Sequence, residues 1–469
     1  MERDFLAVFF LILYTYNVFV LIYFFCINTG YIILNILAFI DIKQYINKVS
    51  AYNLKGLLNT HYFLPVSIIV PAYNEELNIV QTVKSLKSLE YPEYEIIVVS
   101  DGSSDQTVEL LIKEFKLKES ERFFLGTIPT AKIRGVYASE DESLIVIEKE
   151  NGGKADAINS GINASAFPIV AVIDADSVLE KDALLKTSLQ FIMDNKTVAV
   201  GGIIRLANGC DVAHGNVRDV DLPTSFIARL QIVEYLRAFL FGRCGWNSIN
   251  GMLIISGAFG LFKKDILIEL GGYQRDCIGE DMEMVMRIHK HMLEKDEEYT
   301  IKFIPDPVCW TEAPEDYKTL AKQRNRWQRG LLTCLSQYKY MFLNKEYKKI
   351  GKVVYPFVLI FEGMNPLFEF LGYIVLIISL LIGVVDYQFA QAFLLVAVLL
   401  SLVLSLLTIS LEEMSFRRYP KMKHLGIMIL YAFFENFGYR QVHSYWRFMG
   451  MIDYLRGKNS WGKMVRKGI

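Results

Sequence analysis

The chain has 469 residues, 52% of them hydrophobic, with a mean hydropathy of +0.27, too apolar for an ordinary soluble enzyme. Its 50 basic and 51 acidic residues leave a formal charge of −1, which argues against a nucleic-acid partner. Six scattered cysteines without a CxxC pair exclude a disulfide framework and a zinc knuckle, and predict reduced thiols in a cytosolic domain.

Between Asp4 and Asp41 there is no charged residue. Phe5 to Ile27 is long enough for one bilayer crossing, which takes about 20 residues, and no small-residue cleavage site follows it. A retained anchor is expected. Asn28-Thr29-Gly30 interrupts the run, and Tyr31 to Ile40 is too short to span, so it continues the helix into the inner interface. Two full crossings are the alternative. Lys43, Lys48 and Lys55 then put this side in the cytosol.

From Val66 the pattern becomes strand, polar tip, helix, four times over. Val66–Val70 ends in Pro71-Ala-Tyr73-Asn-Glu75-Glu76, and Glu95–Ser100 ends in Asp101-Gly-Ser-Ser-Asp105. Leu144–Glu148 ends in Asn151-Gly-Gly-Lys154, and Ile169–Ile173 ends in Asp174-Ala-Asp176. Such repetition predicts a parallel sheet with a nucleotide at the carboxyl ends of its strands. No GxGxxG or GxxxxGK[ST] is present, which counts against a dinucleotide dehydrogenase or a P-loop NTPase. After Val200 the regularity fades. Ala207–Pro223 reads as a loop, Ser225–Arg243 as an amphipathic helix, and Ser256–Phe262 as a glycine-rich aromatic element. Gly279-Glu280-Asp281 heads a helix, Ile301–Ile304 is a strand, and a basic helix carries Gln323-Arg-Asn-Arg326-Trp327.

The chain then returns to the membrane. Crossings are expected at Pro366–Val385 and Tyr387–Leu411, followed by the basic loop Arg417–Lys423. Leu425–Phe434 is broken by Glu435, Asn436 and Arg440, which predicts a broken or re-entrant helix pair before a basic, cytosolic tail containing Lys463, Arg466 and Lys467. Three regions result: a membrane anchor and interface helix over 1–60, a cytosolic α/β domain over 61–345, and membrane and re-entrant helices over 346–469.

A metal-dependent sugar transfer needs four kinds of group: an acid for the nucleoside, a metal clamp on the diphosphate, cations on the leaving phosphate, and a carboxylate base for the acceptor hydroxyl. Asp101, Asp176, Lys154 with Arg326, and Asp281 stand in those places. Each has a plainer reading: Asp101-Gly as a turn, Lys154 as a solvated helix start, Glu280 and Asp281 as helix N-terminal acids, Trp327 as core. Their order, at the tips of successive elements, favours the chemistry.

Pro71–Glu75, Asp101–Asp105, Asp174–Asp176, Glu280-Asp281 and Gln323–Trp327 together resemble the membrane-integrated family 2 glycosyltransferases, which include cellulose, hyaluronan, chitin and poly-N-acetylglucosamine synthases. The resemblance covers roughly Val66 to Leu332. It implies a GT-A fold of the α/β class with flanking transmembrane helices, and multi-pass placement in a bacterial cytoplasmic membrane with the catalytic domain in the cytosol. It further implies Mg²⁺ or Mn²⁺, a UDP-sugar donor, and inversion at the anomeric carbon. Carried over residue by residue, Tyr73 and Asp101 would hold the uracil with Glu75 nearby. Lys154, Asp174 and Arg326 would meet the diphosphate, and Asp176 the metal. Asp281 would be the general base, with Glu280, Gln323 and Trp327 on the acceptor. One departure is Gly279, where the family has the Thr of a TED motif. The expectation is processive polysaccharide synthesis coupled to export. Transfer of one sugar to a lipid carrier and a catalytically inert membrane scaffold are the alternatives.

Overall fold

The structure is a computed structural model that describes residues 2–51, 63–122, 124, 126–213 and 215–458. Lys55, Lys463, Arg466 and Lys467, used above for orientation, lie outside the described residues.

Four β-branched runs form the parallel heart of a mixed ten-stranded sheet: Leu144–Lys149, Tyr94–Asp101, Val66–Ala72 and Ile169–Ile173, in that spatial order. Their residues are buried on both faces, which is why they read as continuous apolar runs rather than alternating ones. Ala72 pairs with Ser100, and Asp101 with Lys149, so the polar tips line up along one edge. Beyond Ile169–Ile173 the sheet continues through Phe259–Lys263, antiparallel, then Thr197–Leu206 and Thr300–Thr311.

Two expectations need correction here. Thr197–Leu206 is a ten-residue strand buried throughout, although regularity was expected to fade after Val200. Gly201 and Gly202 disguise it: a Cβ on Gly202 would sit 2.3 Å from Val308 Cγ2, so close packing of the two strands demands glycine. The 207–223 segment is a short hairpin, Asp211–Ala213 with Asn216–Asp219, rather than a plain loop.

The amino-terminal segment is one unbroken helix, Glu2–Ala51. The helix continues through Asn28-Thr29-Gly30 as expected, and the polar groups there are satisfied locally. Asn28 donates to Phe24 O at 2.7 Å and Thr29 to Phe25 O at 2.8 Å, while Gly30 makes room for the Phe357 ring. This helix packs on the carboxy-terminal helices, with Asn17 donating to Ser379 Oγ at 2.7 Å and Phe24 edge-on to Phe393. Among the described residues two helices, Asp4–Ser50 and Tyr387–Ser415, are long and apolar enough to cross a membrane. A third span is possible by length and composition if Ile350–Gly363 and Asn365–Leu381, bent by 40°, count as one. The helix from Met422 breaks at Phe437 and Gly438 (φ +95°) and resumes as Arg440–Leu455. All six cysteines are free thiols, and Cys277 and Cys334 meet at 3.9 Å in the core.

Candidate active site

The strand tips build one end of the site. Asp101 is 3% exposed and its carboxylate turns inward: Lys149 Nζ and the Gly152 N–H donate to Oδ1 at 2.6 and 2.9 Å, and the Gly153 N–H to Oδ2 at 2.7 Å. Gly153 adopts φ +90°, a conformation that only glycine takes cheaply, and this aims the helix Lys154–Ala164 at the cavity. Lys149 is wholly buried and also lies 2.6 Å from Asp156, which Arg275 meets at 3.0 Å. The sequence reading stopped that strand at Glu148 and missed this ion cluster. A lysine closing an apolar strand directly before Asn-Gly-Gly was its only signal.

Lys154 and Asp174, assigned separately to a diphosphate, form an ion pair at 2.7 Å, and Glu280 Oε1 lies 3.6 Å from the same ammonium. Tyr73 is 54% exposed on the cavity wall, and Glu75 lines it as well. Asn74 ties their loop to the next by accepting from the Ser104 N–H at 2.8 Å. Asp176 is nearly buried beneath the Asp174 tip and lines the cavity.

Asp281 opens the helix Glu280–Glu294 and accepts a 2.9 Å hydrogen bond from the Gly257 N–H. The glycine is required: a Cβ there would stand 2.6 Å from both Asp281 Oδ1 and Lys154 Nζ. The glycine-rich element noted in the sequence is therefore what lets the Asp281 carboxylate and the Lys154 ammonium share one space. Burial pushes the Asp281 carboxyl above the ordinary carboxylate range, with Lys154 opposing and Asp174 reinforcing. Burial and the Asp281 charge push Glu280 up too. Gly279, the departure from TED, packs on Gly330, whose oxygen would be 3.0 Å from a Cβ at 279. A threonine would wedge the two helices apart.

The helix Tyr317–Gln337, capped by Asp316 accepting from the Thr319 N–H at 2.8 Å, supplies the far wall. Gln323 is 7% exposed, and its Oε1 has no hydrogen-bond partner among the described residues. Trp327 is 45% exposed with the Arg324 guanidinium 4.2 Å from its ring centroid, and Arg326 lines the cavity. The residues proposed from the sequence thus surround one cavity of about 1230 Å³.

That cavity does not stop at the sheet edge. It runs on between the amino-terminal helix and the carboxy-terminal helices, past Tyr31, Glu362, Glu369, Tyr373, Arg440 and Arg447. The polar groups that interrupt the apolar runs pair there: Asn365 with Glu369 at 2.9 Å, Arg440 with Asn436 at 3.2 Å, and Glu435 with Arg237 at 2.6 Å. Glu234, Arg237 and Arg243 on the 226–243 helix also face it, and sequence reasoning missed them. Their spacing reads only as an amphipathic helix, which does not say what its polar face meets.

For a metal, the chemistry of the donors is informative. Among the described residues no group of three or more His, Cys, Asp or Glu could hold an ion unaided. Asp174 and Asp176 supply hard carboxylate oxygens at one strand tip, which suits a cation that takes its remaining ligands from phosphate and water.

Residues 127–330 match the family model "Glycosyltransferase like family 2", and residues 67–125 match "Glycosyl transferase family 2". A poly-beta-1,6-N-acetyl-D-glucosamine synthase of Staphylococcus epidermidis is 32% identical over 265 residues, 56% of this chain and 54% of that one. The Staphylococcus aureus (strain COL) protein of the same name is 30% identical over 278 residues, 59% and 57% of the two chains. The chain thus matches a little over half the length of these curated relatives. Among solved structures, a mannosyltransferase of Pyrobaculum calidifontis, in complex with GDP-Man and Mn²⁺, superposes with a TM-score of 0.50 at 17% identity. It covers 87% of this chain and 99% of its own, and it shows that the fold is GT-A.

Proposed function

Because the chain belongs to the family 2 glycosyltransferases, we propose that it transfers a sugar from a UDP-sugar to an acceptor hydroxyl with inversion, building a polysaccharide that leaves through the membrane part. One observation carries this reading above the others. Lys154, Asp281 and Trp327 line a single cavity that continues among the membrane helices.

Asp281 takes the proton from the acceptor hydroxyl, and its oxygen attacks the anomeric carbon as the bond to the diphosphate breaks. Lys154 and Arg326 stand where the charge on the departing UDP accumulates. Tyr73, with Glu75 beside it, takes the uracil, and Asp101 shapes that end by holding the Gly152-Gly153 turn. Asp176, helped by Asp174, would hold Mg²⁺ or Mn²⁺, which would supply charge neutralisation of the diphosphate. Gln323 and Glu280 address the acceptor, and the Trp327 indole offers a flat apolar face to a pyranose.

The names of the poly-N-acetylglucosamine synthases that the chain resembles make UDP-N-acetylglucosamine the first donor to try. Export is supported by the paired polar groups along the cavity, which suit a hydrated chain rather than lipid. Orientation is supported by the basic loop: Lys421 and His424 each reach Asp221 at 2.8 Å, and Arg418 reaches Glu180 at 3.2 Å. The loop therefore lies on the catalytic domain's side of the membrane, the cytosolic side by its charge.

The test is a panel of UDP-sugars on the purified full chain, with and without EDTA, reading UDP release and product size. Long products at limiting enzyme, lost in EDTA, are expected. A product bearing one sugar on a lipid would replace polymer synthesis with the lipid-carrier reading.

A further inference from the structure

The QRNRW helix contains an arginine that the transfer chemistry above does not use. Arg324 is 1% exposed, three residues before Trp327, so the two share a helix face and the guanidinium lies against the indole. The carboxylate of Glu234, on the 226–243 helix, fixes that guanidinium at 2.9 Å. Glu234 has two further partners beyond the Gly438 break: Tyr439 OH donates to it at 2.8 Å, and His443 Nε2 lies 3.5 Å away.

Further contacts clamp the same two helices together. Arg447 donates to Gln328 Oε1 at 2.9 Å, and Asn325 donates to Asp453 at 3.0 Å. At Gly450 a Cβ would stand 2.8 Å from Asn325 O. Three segments far apart in the sequence thus meet at one carboxylate, behind an indole that stays 45% exposed in the cavity.

We propose that Glu234 is a positioning residue for the acceptor sugar: through Arg324 it sets the plane of the Trp327 ring, and through Tyr439 and His443 it ties that plane to the membrane helix Arg440–Leu455. The guanidinium covers one face of the indole and leaves the other for a pyranose, which favours stacking through the sugar's C–H face. This rests on the reading of Trp327 as acceptor platform. Neither Glu234 nor Arg324 belongs to the donor end, so donor binding should not register the pair.

The experiment uses the full chain in lipid nanodiscs with UDP-N-acetylglucosamine as donor and N-acetylglucosamine oligosaccharides as acceptors. It measures KM for each, kcat and product length for Trp327→Ala, Arg324→Met, Glu234→Gln and Tyr439→Phe. Arg324→Met and Glu234→Gln are expected to raise the acceptor KM about 10- to 100-fold and shorten the product, with donor KM within about twofold. Tyr439→Phe, which keeps the ring and loses one hydrogen bond, should move the acceptor KM the same way by less. If the two stronger variants do not fold, Tyr439→Phe decides alone. Wild-type acceptor KM in the Arg324 and Glu234 variants, with Trp327→Ala impaired, overturns the inference. So does an equal rise in both KM values, which would make Glu234 a support of the fold only. A wild-type Trp327→Ala, or no turnover with any donor of the panel, instead removes the reading beneath it.

Discussion

On the proposed reading the cavity has a donor end and an acceptor end, and at the donor end the charged groups meet protein counterparts. Lys149 lies between Asp101 and Asp156, and Lys154 lies against Asp174. At the acceptor end Gln323 Oε1 is buried without a hydrogen-bond partner among the described residues, Trp327 stays half open, and Asp281 is buried above its ordinary pKa. The donor end is assembled from consecutive strand–helix units, whereas the acceptor end draws on segments around 234, 257, 281, 327 and 443. A nucleotide is the same at every turnover, so its pocket can be rigid and complete. A growing acceptor, as proposed here, would change with every addition, which fits a pocket left partly unsatisfied.

Asp281→Asn tests the acceptor end most severely. Turnover should fall about 10²–10⁴-fold, the usual contribution of a positioned base. UDP binding, measured by calorimetry, should survive, because the base acts on the acceptor. Loss of UDP binding in this variant would erase the distinction between the two ends.

Lys149→Met tests the donor end. Among the described residues, removing a cation that is 0% exposed leaves Asp101 with only the Gly152 and Gly153 N–H groups and Asp156 with only Arg275 as charged partner, at a cost of about 3–5 kcal/mol. Chemical denaturation of the purified chain should show a transition at lower denaturant. An unchanged midpoint would mean that the cluster adds nothing to the rigidity claimed for this end.

Gly257→Ala bears on the junction. The added methyl meets Asp281 and Lys154 at 2.6 Å, so the two must separate. Turnover should drop about 10- to 100-fold with the melting temperature nearly unchanged, since only the site is disturbed. Wild-type turnover would show that base and cation need not share that space.

How much of this was legible in the sequence follows the same division. The four parallel strands and their tips could be read because each buried strand is an uninterrupted apolar run closed by a polar turn. Asp174, Asp176 and Lys154 came with them. Thr197–Leu206 escaped because Gly201, Gly202 and Arg205 break the run, and Arg205 is matched by Glu412, some two hundred residues on. Glu234 escaped because a carboxylate on an amphipathic helix looks the same whether it faces water or an internal cavity. Gly279 looked like a lost threonine until its contact with Gly330 was visible. Local pattern reports local structure, and pairing between distant segments leaves almost no trace in one sequence.

The smallest expected effect is also the one that separates cost from use at Asp281. Its folded pKa is raised, chiefly by burial, so between the ordinary carboxylate value and the raised one the native state holds more proton than the unfolded chain. Stability therefore falls as pH rises through that window. Asparagine has no proton to lose. Asp281→Asn should then melt slightly higher than the parent at neutral pH, with the gap closing in acid below the ordinary carboxylate range. Turnover of the parent should follow the opposite course, rising with pH through the same window as the base becomes available. A variant that melts lower at neutral pH would mean that Lys154 and the Gly257 N–H stabilise the carboxylate by more than its burial costs. The acceptor end would then be as self-satisfied as the donor end, and the contrast between them would have to rest on Gln323 and Trp327 alone.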